Sequence, residues 1–288
     1  MNETPRKRIK QMDVMVSEVV RETEDTATLY FFTGNDRLDY KAGHFLTISP
    51  HQFSALERFI EYFQNLKGKK EPARAYSLCS APDEKYLAVT IKEERYVKDV
   101  TKYPPLLSPL LVRRTVPGMK MVVTGFTGPY TLPDDVEQKT EHIVHVCAGS
   151  GGVPNFSILK FALRNLPTLK HTFIYSNKTW ADVIFRDALD RLAKEHPDRL
   201  KLVHLLTRES GDLRGARAGR LSVDVIRSEI SDPGTCMAFV CGPGISAWDK
   251  ARAKEAGTEP EPRFLESALA ALKSAGVAED RIEYESYG

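Results

Sequence analysis

The 288 residues carry 41 Lys and Arg against 39 Asp and Glu, a formal charge of +2, and 42% of them are hydrophobic. This balance excludes a disordered chain and leaves neither half basic enough for nucleic acid or a membrane surface; the length favours two domains over one oversized core. No apolar run has the length of a membrane span, and the polar, basic stretch Met1–Lys10 has no apolar core behind it, so a cytoplasmic protein with a solvated tail is expected.

The first half reads as β structure. Met12, Val14 and Val16 alternate with polar neighbours, and Leu29 and Phe31 do the same. Strands follow at Phe45–Ile48, from Arg74, at Leu87–Ile91 and at Met119–Val123, separated by turn residues such as Thr33-Gly34-Asn35-Asp36 and Pro117-Gly118. Short half-buried strands with such turns predict a small antiparallel barrel. One segment interrupts it. Ser54-Ala55-Leu56-Glu57 has the form of a capping box, and Leu56, Phe59, Ile60 and Phe63 recur at helical spacing before Lys67-Gly68-Lys69-Lys70. An amphipathic helix inserted at about 52–70 is expected, either covering the barrel or offering a basic cluster to an acidic partner.

The rhythm then changes. Strands at His142–Val146, Thr172–Tyr175, Leu200–Leu206, Cys236–Val240 and from Ile282 alternate with helices through Phe156–Leu163, Ile184–Leu192, Leu221–Ile226 and Leu265–Leu272. Alternation of this kind predicts a doubly wound parallel sheet covered on both faces. The expected division is 1–137 for the barrel and 138–288 for the α/β domain.

Three motifs carry chemistry. In Arg74-Ala75-Tyr76-Ser77, an arginine and an aromatic share one strand face, suited to a phosphate and a planar ring. Ser77 points the other way in an ideal strand. In Cys147-Ala148-Gly149-Ser150-Gly151-Gly152-Val153-Pro154, a strand runs through a glycine turn into a helix, a ready anion site, with Pro154 tolerated in the first helical turn. In Val240-Cys241-Gly242-Pro243-Gly244, a strand ends where parallel sheets bind ligands. Two readings stand for Cys241: a soft group beside a planar ligand, and a core cysteine.

Arg-x-Tyr-Ser, Gly-Ser-Gly-x-x-Pro and Cys-Gly-Pro, in this order and spacing, resemble the ferredoxin–NADP reductase superfamily, most closely the reductase components of bacterial oxygenases and the reductase half of flavohaemoglobins. The resemblance runs from about Met12 and includes Gly43-His44-Phe45-Leu46, Gly128-Pro129-Tyr130, Tyr175-Ser176-Asn177-Lys178-Thr179 and the final Ile282–Gly288. It implies that Arg74, Tyr76, Ser77 and Ser108 bind FAD, and that Gly149, Ser150, Gly151, Gly152 and Pro154 hold the NAD(P) pyrophosphate. It further places Asn177, Lys178, Thr207 and Arg208 toward the adenosine end, and Cys241, Gly242 and Pro243 beside the nicotinamide, with Glu285 and Tyr287 near the flavin. Ser77, Cys241 and Glu285 are the implied catalytic residues.

The chain departs from the pattern where the family has a glycine three residues before Ser108, for Pro105 stands there. The cysteines, Cys79, Cys147, Cys236 and Cys241, have no spacing for an iron–sulfur cluster or a zinc site, so no cluster or metal is expected in this chain. The activity implied is an FAD-dependent NAD(P)H oxidoreductase passing single electrons to a separate ferredoxin-like protein that serves an oxygenase. A free flavin or ferric reductase, or a non-enzymatic nucleotide-binding sensor, are the alternatives. Lys178 and Arg208 tilt the nucleotide toward NADPH over NADH, because such cations recognise a 2′-phosphate.

Overall fold

The computed structural model describes residues 11–34, 39–98, 101–211 and 213–287. The expected N-terminal tail, the Asn35-Asp36 part of the first turn and Gly288 lie outside them. The chain divides into two compact units, the first running to Thr131 except for Glu22–Glu24, which group with the second unit from Leu132 onward.

The first unit contains β1 (Met12–Thr23), β2 (Thr26–Phe32), β3 (Phe45–Ile48), α1 (Glu57–Lys67), β4 (Arg74–Ser77), β5 (Leu87–Lys92), α2 (Ser108–Arg114) and β6 (Lys120–Thr127). Its strands lie in the order β4-β3-β6-β1-β2-β5. Just beyond β4, Leu78 bridges Val89 and the Cys79 N–H reaches the Ala88 carbonyl at 2.9 Å, joining the two ends of that order. The sheet therefore closes as a barrel, which leaves few edge groups unpaired. Alternate residues fill it: Val16, Leu29, Leu46, Ile48, Leu78 and Val89 are fully buried.

The inserted helix differs from expectation at its start and on its face. Ser54–Leu56 forms a 3-10 turn, α1 follows from Glu57, and neither start has a side-chain cap hydrogen bond, so the capping box does not form. Leu56 and Ile60 join the barrel core and Phe63 is buried, but Phe59 is 60% exposed. Gly68, at φ 63°, ends the helix in the left-handed conformation that glycine adopts without strain.

The second unit contains α3 (Val136–Lys139), β7 (His142–Ala148), α4 (Gly152–Asn165), β8 (Lys170–Asn177), α5 (Arg186–Glu195), β9 (Leu200–Leu206), β10 (Arg217–Ala218), α6 (Val223–Glu229), β11 (Met237–Pro243), α7 (Ala247–Ala256), α8 (Phe264–Ala275) and β12 (Ile282–Tyr287). Its sheet has the order β10-β9-β8-β7-β11-β12, and its strand pairs are parallel. Arg199 closes the C-terminal end of α4 by donating to the Leu163, Leu166 and Leu169 carbonyls at 3.0, 2.7 and 3.1 Å.

Two expected helices start later than the pattern suggested. Ile184 lies before α5, because Phe185 takes a left-handed φ of 58° and stacks on Phe156 with ring centroids 4.2 Å apart. Leu221 precedes α6, which begins after Ser222 accepts the Val225 N–H. Helix α7 was not anticipated: among its residues only Ala253 is buried, so it has no apolar stripe to read.

Candidate functional sites

In the first unit, Arg74 and Tyr76 lie half-buried on β4, opposite Ile48 and Leu46 of β3. Arg74 is already engaged. Its Nη2 donates to Glu71 Oε2 at 2.9 Å and its Nη1 to the Pro72 carbonyl at 3.0 Å. The other Glu71 oxygen accepts from Lys67 Nζ at 2.5 Å, and the Glu71 side chain is only 1% exposed. Burial alone would raise this carboxyl, but hydrogen bonds and charge from Lys67 and Arg74 outweigh it and hold it below the ordinary glutamate value.

A cavity of 270 Å³ opens beside these groups, lined by Lys67, Arg74, Tyr76, Tyr103 and the Leu106–Ser108 turn into α2. The Tyr76 phenol is pushed above its ordinary range, chiefly by burial and also by the Glu94 carboxylate, so it is a neutral donor. Ser108 is the first residue of α2, and its hydroxyl accepts the Glu94 N–H at 3.1 Å. Ser77 is 5% exposed, at the point where the chain leaves β3 to pair with β5.

In the second unit, β7 runs into the turn Gly149–Gly151 and then α4, as the glycine motif suggested. Three side chains hold the turn. The Tyr175 hydroxyl donates to the Gly149 carbonyl at 2.7 Å. Asn155 donates to the Gly151 carbonyl at 3.1 Å, and its Oδ1 meets His145 Nδ1 at 2.9 Å. The glycines differ in purpose. A Cβ on Gly151 would lie 2.1 Å from the Cys241 carbonyl oxygen, and one on Gly152 would lie 2.6 Å from the Tyr175 hydroxyl. Gly149, at φ 53°, faces open space. Gly151 and Gly152 therefore allow close packing, while Gly149 leaves the mouth of the turn clear. Pro154 sits in the first turn of α4, where its missing N–H leaves no helical bond unmade.

The same packing brings two motifs together, since Gly151 rests on the Cys241 peptide. Parallel register sets Cys241 against Glu285 and Pro243 against Tyr287. The Cys241 thiol is fully buried; burial pushes it up, the Glu285 carboxylate pushes it further, and a Tyr287 hydrogen bond opposes both. It is a neutral thiol at pH 7. The room left by Gly242 is occupied: a Cβ there would lie 2.5 Å from the Phe264 ring.

Along the same sheet edge, the Asn177 amide is buried with neither its oxygen nor its nitrogen hydrogen-bonded among the described residues. The ladder continues past it. Thr207 N–H donates to the Asn177 carbonyl at 3.0 Å and Arg208 N–H to the Lys178 carbonyl at 2.9 Å, which sets exposed Lys178 and Arg208 side by side.

Residues 145–247 match the family model of the oxidoreductase NAD-binding domain. Over 284 residues the chain is 30% identical to the ferredoxin reductase component of 3-ketosteroid-9-alpha-monooxygenase from Mycolicibacterium smegmatis, covering 96% of this chain and 65% of that relative. Residues 145–247 thus form an oxidoreductase NAD-binding domain, and the chain as a whole is similar to a ferredoxin reductase component of an oxygenase. A shorter match, 30% identical over 120 residues, covers 40% of this chain and 14% of the NADH nitrate reductase of Volvox carteri. The fold is that of the FAD/NAD-binding domain of the Vibrio cholerae nitric oxide dioxygenase, with a TM-score of 0.70, 19% identity and coverage of 96% and 98% of the two chains.

Both sites offer donor sets suited to phosphorylated cofactors. The first offers a guanidinium, an ammonium and a neutral phenol around one cavity, a donor set for a phosphorylated ring compound. The second offers an open helix N-terminus and an orphaned buried amide on one sheet edge. Sequence reasoning missed Glu71, Asn155 and Tyr175. The acid at i+4 from Lys67 and i−3 from Arg74 was one available signal; Asn155, one turn after Gly151, was another. No group of three His, Cys, Asp or Glu side chains among the described residues is arranged to hold a metal ion, and no described helix is long and apolar enough to cross a membrane.

Proposed function

We propose that this chain is an FAD-dependent NAD(P)H oxidoreductase that accepts hydride from NAD(P)H and passes single electrons to a separate ferredoxin-like carrier serving an oxygenase. The observation that carries the reading is the packing of Gly151 on the Cys241 peptide. It unites the open glycine turn, the α4 N-terminus and the Cys-Gly-Pro strand end in one nucleotide site, in a chain whose barrel bears Arg74 and Tyr76 on a cationic cavity. The first relative's description as a ferredoxin reductase component supports the carrier as acceptor; the chain spans 65% of that protein's length.

A bound flavin would supply the conversion of a hydride's electron pair into single transfers, chemistry that belongs to the cofactor. The chain's own part is to bind and orient. Arg74 would hold a flavin phosphate, with Tyr76 and Ser77 offering hydroxyls to the ring system. The N–H groups of Gly149–Gly152 and the α4 dipole would hold the nucleotide pyrophosphate. Asn177 and Thr207 would meet the adenosine, and Cys241 would present a neutral, polarisable surface to the nicotinamide. Lys178 and Arg208 favour NADPH through its 2′-phosphate; the match to an NADH nitrate reductase favours NADH.

Purified protein should be yellow, with flavin absorbance that bleaches anaerobically on adding NADPH or NADH. The nucleotide with the higher kcat/KM settles the preference. A colourless protein that takes up no added FAD would end the reading, and turnover with ferric chelates but not with any ferredoxin would move the acceptor to a small molecule.

A further inference from the structure

The two cations on Glu71 come from different places. Arg74 belongs to a barrel strand, whereas Lys67 is the last residue of the inserted helix α1. Lys67 is held firmly: its side chain is 15% exposed, and its ammonium lies 4.7 Å from the ring centroids of both Phe63 and Tyr103. Glu71 can neutralise only one of the two charges it binds, so the cluster keeps a net positive charge.

That charge faces two cavities. The 270 Å³ cavity at the start of α2 and a neighbouring one of 460 Å³ share Lys67, Arg74 and Tyr103 as a common wall. Across both, the charged lining is Lys67, Lys69, Arg74 and Lys102 against Glu71 and Glu94. The backbone here is poor in donors, because Pro104, Pro105 and Pro109 have no N–H to offer. With three backbone donors missing, side chains must supply a share of the contacts to an anion bound beside this turn.

We propose that Lys67, delivered by α1, is a second phosphate-binding cation for the diphosphate of FAD, and that Glu71 is the positioning residue that holds Lys67 and Arg74 together. This rests on the flavin reading given above. The insertion then has a role beyond covering the barrel: it supplies by charge what the Pro105 turn does not supply by backbone. A diphosphate carries two or more negative charges, and charge-assisted contacts of this kind are the strong ones.

The test titrates the full chain with FAD and with riboflavin, which has the ring but no phosphate, following flavin fluorescence. Lys67→Met should weaken FAD binding at least about tenfold, one charge-assisted contact, and change riboflavin binding less than about twofold, because no phosphate is involved. Lys67→Arg should restore most of the FAD affinity. If Lys67→Met does not fold by circular dichroism, Lys67→Gln, which keeps a donor for Glu71, takes its place. Part of the loss should persist when Glu71→Gln is already present, because Phe63 and Tyr103 still hold the ammonium; its complete disappearance there would show that Lys67 acts only by bracing Arg74 and would overturn the proposal. Unchanged FAD affinity in Lys67→Met would do the same. A wild-type chain that binds neither flavin, or gains nothing from the diphosphate, fails the parent reading instead.

Discussion

The two units present their proposed phosphate sites by opposite means. In the second unit the donors are backbone N–H groups at the start of α4, and the turn has its shape because Gly151 and Gly152 leave room for the Cys241 peptide and the Tyr175 hydroxyl. In the first unit the turn into α2 is rich in proline, and the positive charge comes from Lys67 and Arg74 clasping a buried carboxylate. A site made of backbone fails when atoms are added, because nothing can move aside. A site made of side chains fails when charge is removed. The contrast predicts which substitution damages which unit.

The largest effect is expected at Gly151. A methyl group there would lie 2.1 Å from the Cys241 carbonyl oxygen, backbone against backbone, so Gly151→Ala must push the turn off β11. Overpacking of this kind costs about 1–3 kcal/mol or more, and with the turn displaced NAD(P)H affinity should fall by about five- to a hundredfold, at roughly 1.4 kcal/mol per decade. Gly149→Ala faces open space at φ 53° and should cost only the left-handed strain of about 1 kcal/mol. Both tryptophans, Trp180 and Trp248, lie in the second unit, so denaturant unfolding followed by their fluorescence reports on it directly. Equal stability of the two variants would break the contrast at its strongest point.

How much of this was legible follows the same division. The glycine turn could be read because local chain chemistry specifies it: an apolar strand, small residues, then a helix. The barrel strands could be read from alternation, and Val16, Leu29 and Val89 are buried as that pattern requires. What could not be read depends on distant partners. The Ser54-x-x-Glu57 box failed because the chain made a 3-10 turn first, and Phe59 turned outward although it fits the helical stripe. Glu71 gains its role only when Lys67 and Arg74 close on it. Asn155 gained its role only when His145 and the Gly151 carbonyl came within reach.

Acid should also separate the second unit's buried histidines from the Glu71 cluster. Burial pushes the His145 and His204 imidazoles down to about 4 from an ordinary 6.5. Their protonated forms are favoured only in the unfolded chain, so their contribution is complete above pH 6.5 and is lost as pH falls toward 4. The Glu71 carboxyl is depressed instead, so its contribution is present above its unfolded value of 4.5 and is lost only below that. Tryptophan-detected stability should therefore drop between pH 7 and pH 5, before the barrel cluster is affected. His204→Phe keeps a ring beside Trp180 and should flatten the slope. Identical unfolding curves at the two pH values would refute the assignment.

Cys241 sharpens the comparison, because it is both packed and proposed to meet a ligand. Cys241→Ala should leave flavin content unchanged and slow anaerobic flavin reduction several-fold in stopped flow. The buried thiol is small, so the melting temperature should shift only slightly. A lowered melting temperature with wild-type reduction kinetics would make it a core cysteine and nothing more.

The smallest effect is expected on the outside of the inserted helix. The basic cluster read from the sequence as Lys67, Lys69 and Lys70 is divided by the structure: Lys67 turns inward to Glu71, and Lys69 and Lys70 stay exposed. Beside them, Phe59, Tyr62 and Leu66 are 60, 61 and 53% exposed, an apolar stripe on the same helix with Arg58 at its other end. An acidic one-electron carrier suits such a surface, being drawn by the cations and then seated on the rings. Charges at this distance act mainly on the association rate, and the attraction fades as salt screens it. Replacing Arg58 and Lys70 with glutamate, away from the cavity walls, should slow ferredoxin reduction by about threefold at low ionic strength and flatten its salt dependence, a modest share of the ten- to thousandfold range of electrostatic steering. Ferricyanide reduction needs no docked protein and should not change. Equal ferredoxin kinetics for the variant and the wild type at low salt would leave α1 with its inward face alone, covering the barrel and presenting Lys67.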